Sequence, residues 1–311
     1  MKKNLVLGAA IFIVGLLLPL LTRNPYFLHL AILMATFGLL ASFWNMLDGY
    51  LGLIHFGYAA FFGLGAYTSA ILTTKLAWPL PLSMFCGGVT AAGVGILVIV
   101  PCLRMGVYST AIVTLAFGEI MRIITCAWTG LTKGEMGLWG IPPLFDGNSK
   151  VPFVVLAFAL LAVGMTALRA IIHSPLGLAF TAIRDDEIAA NTTGVPTNKI
   201  KVLGTGVSCF AAGIVGAFYA HYILTITPEL FGIAYTIQIM AMSMFGGKGT
   251  FLGPLAGTVA LIFMGESFRF IENYRLLIYG ALMITTVMVF PEGLVGLFRR
   301  GKKFFFTQWR K

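Results

Sequence analysis

One pair of ionisable residues stands where chemistry is possible inside an apolar stretch. Glu119 and Arg122 lie three apart in TLAFGEIMR, residues 114–122, so on a helix they share a face and can pair. Ionisable groups within a membrane segment usually face a bundle interior or a wet path. One reading makes them the lining of a substrate route, with Gly118 allowing a kink or a close approach. The other makes them an ion pair that holds two helices together. Glu266 and Arg269 repeat the spacing near the end of a later apolar segment, where interfacial exposure explains them.

The second concentration of charge is Arg184, Asp185, Asp186 and Glu187. It sits inside SPLGLAFTAIRDDEIAANTTG, residues 174–194. This is the longest amphipathic stretch of the chain, and it is too polar to cross a bilayer. Ser174 is a suitable N-cap and Pro175 fits the first helical position. Gly194 reads as the residue just past the helix end, with Pro196 beyond it. Leu176, Phe180, Ile183 and Ala190 fall near helical spacing. The pattern predicts a short helix outside the lipid, with an apolar side that needs a partner. That partner is either the chain itself with headgroups, or another protein.

Other chemistries find no support. GGKGT at 246–250 lacks the spacing that cradles phosphates, and reads as a turn with Lys248 at the membrane surface. The histidines, His29, His55, His173 and His221, are scattered without a metal-ligand pattern, and no nucleophile elbow occurs. Cys86, Cys102, Cys126 and Cys209 form no CxxC pair and read as packing residues. No catalytic group, metal or cofactor is expected.

The elements that must position these groups follow from composition. Of 311 residues 59% are hydrophobic and 10% charged, with a mean hydropathy of +0.93. Such a chain cannot bury its apolar surface in one soluble core, so most of it faces lipid. The net charge of +10 therefore speaks to membrane orientation rather than to nucleic acid. Apolar segments run over 5–21, 27–47, 52–72, 80–100, 107–128, 151–172, 202–226, 232–245, 251–270 and 276–290. The expected fold is an all-α polytopic membrane protein, one permease domain over 1–311. It has about ten transmembrane segments, and the short or Gly/Pro-broken ones are candidate half-helices. Met1–Lys3 and its apolar run are expected to remain as an uncleaved first helix. With ten spans, fourteen of the 21 Lys and Arg lie on one side. That side is the cytoplasmic one, and it holds both termini and the 174–194 helix. Residues 57–67 and 212–222 share a texture of small and aromatic residues, a weak sign of an internal repeat.

The wording of 174–194 is similar to the cytoplasmic signature of ABC-importer permeases, in particular the branched-chain amino acid permease family on its LivM rather than its LivH side. The likeness extends to AIVTLAFGEIMRII (111–124), GYLGLIHFGYAAFFGLGAY (49–67), GGKGTFLGPLAG (246–257) and FPEGLVGL (290–297). These blocks keep the family's order through most of the chain. The resemblance implies a bacterial inner-membrane permease paired with a second, LivH-type permease. It further implies two cytoplasmic ATPases and a periplasmic binding protein. The 174–194 helix becomes the coupling helix seated on an ATPase, carried by Ser174, Pro175, Arg184, Asp185, Asp186, Glu187, Ala189, Ala190 and Gly194. Leu178 departs from the family, which often has Arg there. Branched-chain amino acids are the expected substrate, with urea or a short amide as the alternative within the family. A secondary transporter using Glu119 as a proton relay, and a membrane-embedded enzyme, are the rivals from outside it.

Overall fold

A computed structural model of the chain describes residues 24–145, 147 and 149–267, with isolated positions at 6, 9–14, 17 and 280. The apolar segments expected at 5–21 and 276–290, the 290–297 block and Arg269 lie largely or wholly outside the described residues.

Helix α1 (Pro25–Asn45) begins where the Asn24 side chain accepts from the Tyr26 N–H. It runs into a wide π-type turn, Met46–Leu51, which Gly52 closes in the left-handed conformation at φ 76°. That reversal moves the start of the next helix. The segment expected from residue 52 is helical only from Tyr58, as α2 (Tyr58–Leu76). The strap before it stays non-helical because its backbone has partners elsewhere. The Trp44 indole donates to the His55 carbonyl, and the Phe56 N–H donates to Thr114 Oγ1.

Then follow α3 (Leu80–Cys102), α4 (Val107–Ala127) and α5 (Val151–Ile172). Two short helices come next, α6 (Pro175–Asp185) and α7 (Glu187–Thr192). The long α8 (Thr197–Ile223) precedes α9 (Ile233–Gly247) and α10 (Gly253–Ser267). Five stretches among the described residues are long and apolar enough to span a bilayer: Pro25–Leu51, Leu80–Cys102, Val107–Ala127, Val151–Ile172 and Thr197–Ile223. The chain is thus an all-α polytopic membrane protein with at least these five spans.

Lipid tails are as apolar as leucine, so helices here associate by close packing at small residues. The glycines of α2, α3 and α8 make this visible. A Cβ on Gly65 would overlap the Gly213 backbone, one on Gly213 would meet the Gly87 carbonyl, and one on Gly87 would meet that of Gly65. Helices α9 and α10 repeat the arrangement, with Gly246 against the Gly253 carbonyl and Gly257 against that of Met242. The four cysteines are free, and Cys102 and Cys209 are buried.

The loops gather at two ends. At one, Lys75 donates to the Gly130 carbonyl and His221 Nδ1 to that of Pro142. There, too, β1 (Leu138–Trp139) pairs antiparallel with β2 (Thr225–Ile226), Leu138 opposite Ile226. This two-residue ribbon gives no periodic signal in the sequence. At the other end lie the 46–52 turn, the 174–194 segment and the turn after α9. The same loops are segregated by the Lys and Arg distribution, so geometry and charge agree on which loops share a side.

Candidate functional site

The amphipathic segment begins as its residues dictate. Ser174 Oγ accepts from the Leu176 N–H at 3.2 Å and donates to the Ile171 carbonyl at 2.6 Å, with Pro175 first in the helix. Gly177 lets the chain fold back tightly, since a Cβ there would overlap the Ile172 carbonyl. The segment is two helices rather than the single one expected. Asp186 takes an extended conformation (φ −158°), and its carboxylate accepts from the N–H groups of Ile188 and Ala189. An aspartate followed by an acidic first turn is a helix start signal in its own right, and it interrupts the first helix. Gly194 does close the second one, at φ 90°. The Gly194 N–H bonds the Asn191 carbonyl and the Val195 N–H bonds that of Ala190, a Schellman end.

The apolar side of this segment is covered by the chain itself. Phe180, Ile183 and Ala190 are buried. The Phe180 ring fills a slot beside Gly204 of α8, close to Leu51. Glu187 is tied to Lys201, and Arg184 both pairs with Asp185 and donates to the Gly49 carbonyl. What faces outward is different. Leu178 is 74% exposed and Ile188 78% exposed, with Ala189 also open. Of the residues expected to carry coupling, Ser174, Pro175, Asp186 and Gly194 shape the backbone. Arg184, Glu187 and Ala190 anchor it, and Asp185 and Ala189 lie on the open side.

Glu119 and Arg122 do share a face of α4. Arg122 Nε and Nη2 reach Glu119 Oε1 at 2.9 and 2.5 Å. The side chains of Arg122 and Glu119 are 40% and 47% exposed, so the pair clamps no second helix among the described residues. α4 buries Thr110, Ala111, Thr114, Gly118 and Thr125 on one side, and its exposed residues include Ile112, Ile120 and Ile123. Gly118 serves close approach, with Gly57 of the strap packed against it, and α4 runs on through it as one helix. The charged pair therefore lies on a helix side that the described chain leaves open.

A further polar cluster escapes a reading of spans alone. Asp48 and Asn45, both 2% exposed, meet Lys248 and Gly249 of the turn after α9. The available signal was an acid and an amide at the apolar end of a span, where burial demands partners. Lys248 is thus paired with a buried acid as well as lying near the surface. Among the described residues no group of three or more His, Cys, Asp or Glu is placed to hold a metal.

Comparison with known proteins gives a consistent result. The family model described as branched-chain amino acid transport system / permease component matches residues 26–287. The high-affinity branched-chain amino acid transport system permease protein LivM of Escherichia coli is 29% identical over 282 residues, 82% of this chain and 66% of that protein. The chain therefore spans about two thirds of the length of such LivM relatives. The E. coli permease LivH is 23% identical over 284 residues, 84% of this chain and 92% of that protein. The ribose import permease RbsC of Haemophilus influenzae is 28% identical over 131 residues, 40% of each. No solved structure matches. A polytopic, non-catalytic membrane protein on all these grounds, the chain belongs to the family of branched-chain amino acid transport system permease components.

Proposed function

We propose that the chain is one permease of an ABC importer in the bacterial cytoplasmic membrane, carrying branched-chain amino acids inward at the expense of ATP hydrolysed by partner subunits. In this reading it has about ten spans with both termini cytoplasmic. A LivH-type permease covers the open side of α4, and two ATPases and a periplasmic binding protein complete the assembly. The 174–194 segment receives the ATPase, and Gly118, Glu119 and Arg122 border the translocation path. One observation carries the reading. A segment too polar for lipid is fastened by Phe180, Ile183, Glu187 and Ala190, yet leaves Leu178 and Ile188 bare. Exposed large apolar residues on a fastened, charged segment suit a protein groove better than water.

The test is copurification followed by reconstitution. The chain should bring down a second permease and an ATPase. Vesicles holding the full set should accumulate leucine only with ATP inside the ATPase compartment and binding protein on the opposite face. Excess urea or acetamide should leave that uptake unchanged. Leucine uptake by the chain alone, driven by a proton gradient, would replace this reading with a secondary transporter acting through Glu119.

A further inference from the structure

Three segments far apart in sequence meet at the end of α1. The π-type turn Met46–Leu51 supplies a carbonyl, Gly49, and a carboxylate, Asp48. The end of α6 supplies Arg184, whose Nη1 donates to the Gly49 carbonyl at 2.8 Å. The turn after α9 supplies Lys248, 2.9 Å from Asp48, whose own side chain is 3% exposed. Asn45 completes the junction. Its Oδ1 accepts from the Gly249 N–H and its Nδ2 donates to the Thr250 carbonyl, both at 2.9 Å.

Each part has a physical cause. A π-type turn breaks the regular helical ladder, which frees backbone groups for outside partners and often marks a functional site. The Gly49 carbonyl is such a group. A buried carboxylate needs a paired cation, and Lys248 is positioned to be that cation. The fit leaves no slack. A Cβ on Gly49 would meet Asn45 Oδ1 and Gly249 N, and one on Gly52 would lie 2.9 Å from Arg184 Cγ. The same guanidinium also holds Asp185 on the open side of the amphipathic segment. A displacement of α6 at its Asp185 end must therefore carry Gly49 with it. Through Asn45 and Asp48 it must also carry the hairpin of α9 and α10.

We propose that Asn45, Asp48, Arg184 and Lys248 form a polar latch that conveys movement of the 174–194 segment to α1 and to the α9–α10 hairpin. In that latch Lys248 is a positioning residue for transport. The inference rests on the segment being the ATPase contact, and the test separates the two. The full importer carrying Lys248→Met is reconstituted, and ATPase pull-down, ATP hydrolysis and uptake are measured on the same vesicles. ATPase binding and hydrolysis per assembled complex should stay near wild type. Uptake per ATP hydrolysed should fall by about tenfold, within the range usual for coupling between sites. Lys248→Arg, which keeps the cation, should restore most of that ratio. The ratio is taken per assembled complex, so a lower yield does not blur it. A wild-type ratio in the assembled fraction of Lys248→Met, even with reduced yield, would make the cluster a structural pair and overturn the latch. Failure of the wild-type chain to bind any ATPase would instead sink the importer reading, and the latch with it.

Discussion

Lys201, 8% exposed in the first turns of α8, holds Glu187 of α7 at 2.5 Å, and so fastens the second half of the amphipathic segment to the core. An unpaired ammonium at so buried a site costs about 1–3 kcal/mol. Glu187→Lys should therefore destabilise the purified permease and loosen α7, although Glu187 itself is partly exposed. The exchanged pair, Glu187→Lys with Lys201→Glu, should recover part of the loss. Thermal unfolding in detergent of the single and double variants checks this. Equal midpoints for wild type and Glu187→Lys would show that the pair is idle.

The open and the fastened sides of the segment predict opposite phenotypes. Phe180→Ala empties a fully buried slot, for which about 3–5 kcal/mol of destabilisation is usual. Leu178→Asp and Ile188→Asp alter exposed positions, so the unfolding midpoint should hold while ATPase pull-down is lost. Retention of the ATPase by both aspartate variants would move the contact elsewhere.

Gly194 tests the backbone alone, because a Cβ there meets nothing within 4 Å. Its φ of 90° still opposes a side chain, most of all a β-branched one, by about 1–2 kcal/mol. Gly194→Val should open the end of α7 to limited proteolysis and weaken ATPase binding, while Gly194→Asn should be milder. A Val variant as protease-resistant as wild type would mean that the Schellman end carries no weight.

Glu119 and Arg122 bond each other on an open side of α4, so neither is needed to fold the chain. Glu119→Gln should leave expression and partner assembly intact and lower uptake several-fold. A lining role is sensitive to charge at that spot, whereas a surface pair is not. Unchanged uptake in both Glu119→Gln and Arg122→Gln would remove the pair from the path.

Sidedness can be read directly. In a background without the native cysteines, Asn191→Cys should react with an impermeant reagent only from the cytoplasm. Met136→Cys, at an 83% exposed position, should react only from the periplasm. Labelling of both from one face would contradict the grouping of loops.

Much of this architecture is legible in the sequence because its causes are local. Composition sets the class, and Ser174-Pro175 and Gly194 mark both ends of the amphipathic segment. Small residues foretell the close approach of α2 and α8. What is not legible depends on partners distant in sequence. Asp186 offers a cap as good as the helix it interrupts, and only the packing of Ala190 and the Lys201 contact select the break. The strap after Gly52 looks like a span by hydropathy, but the indole of Trp44 and the hydroxyl of Thr114 hold it out of a helix. The outward side of 174–194 was hidden for a similar reason. Periodicity marks Phe180 and Ala190 as apolar, yet it cannot say whether their partner is the same chain or another.

The glycine contacts divide the molecule into stiff bodies and slipping seams. Where backbone rests on backbone, as at Gly65, Gly87 and Gly213, no side chain can change rotamer to accommodate sliding, so α2, α3 and α8 act as a stator. The hairpin of α9 and α10, closed by Gly246 and Gly257, is a second rigid paddle. Between paddle and α1 the seam is of another kind. There Gly38 meets the methyl of Leu255, a side chain free to turn. Alternation between two accesses then amounts to a paddle pivoting over α1 against a fixed stator, with its travel bounded by how far Leu255 can roll.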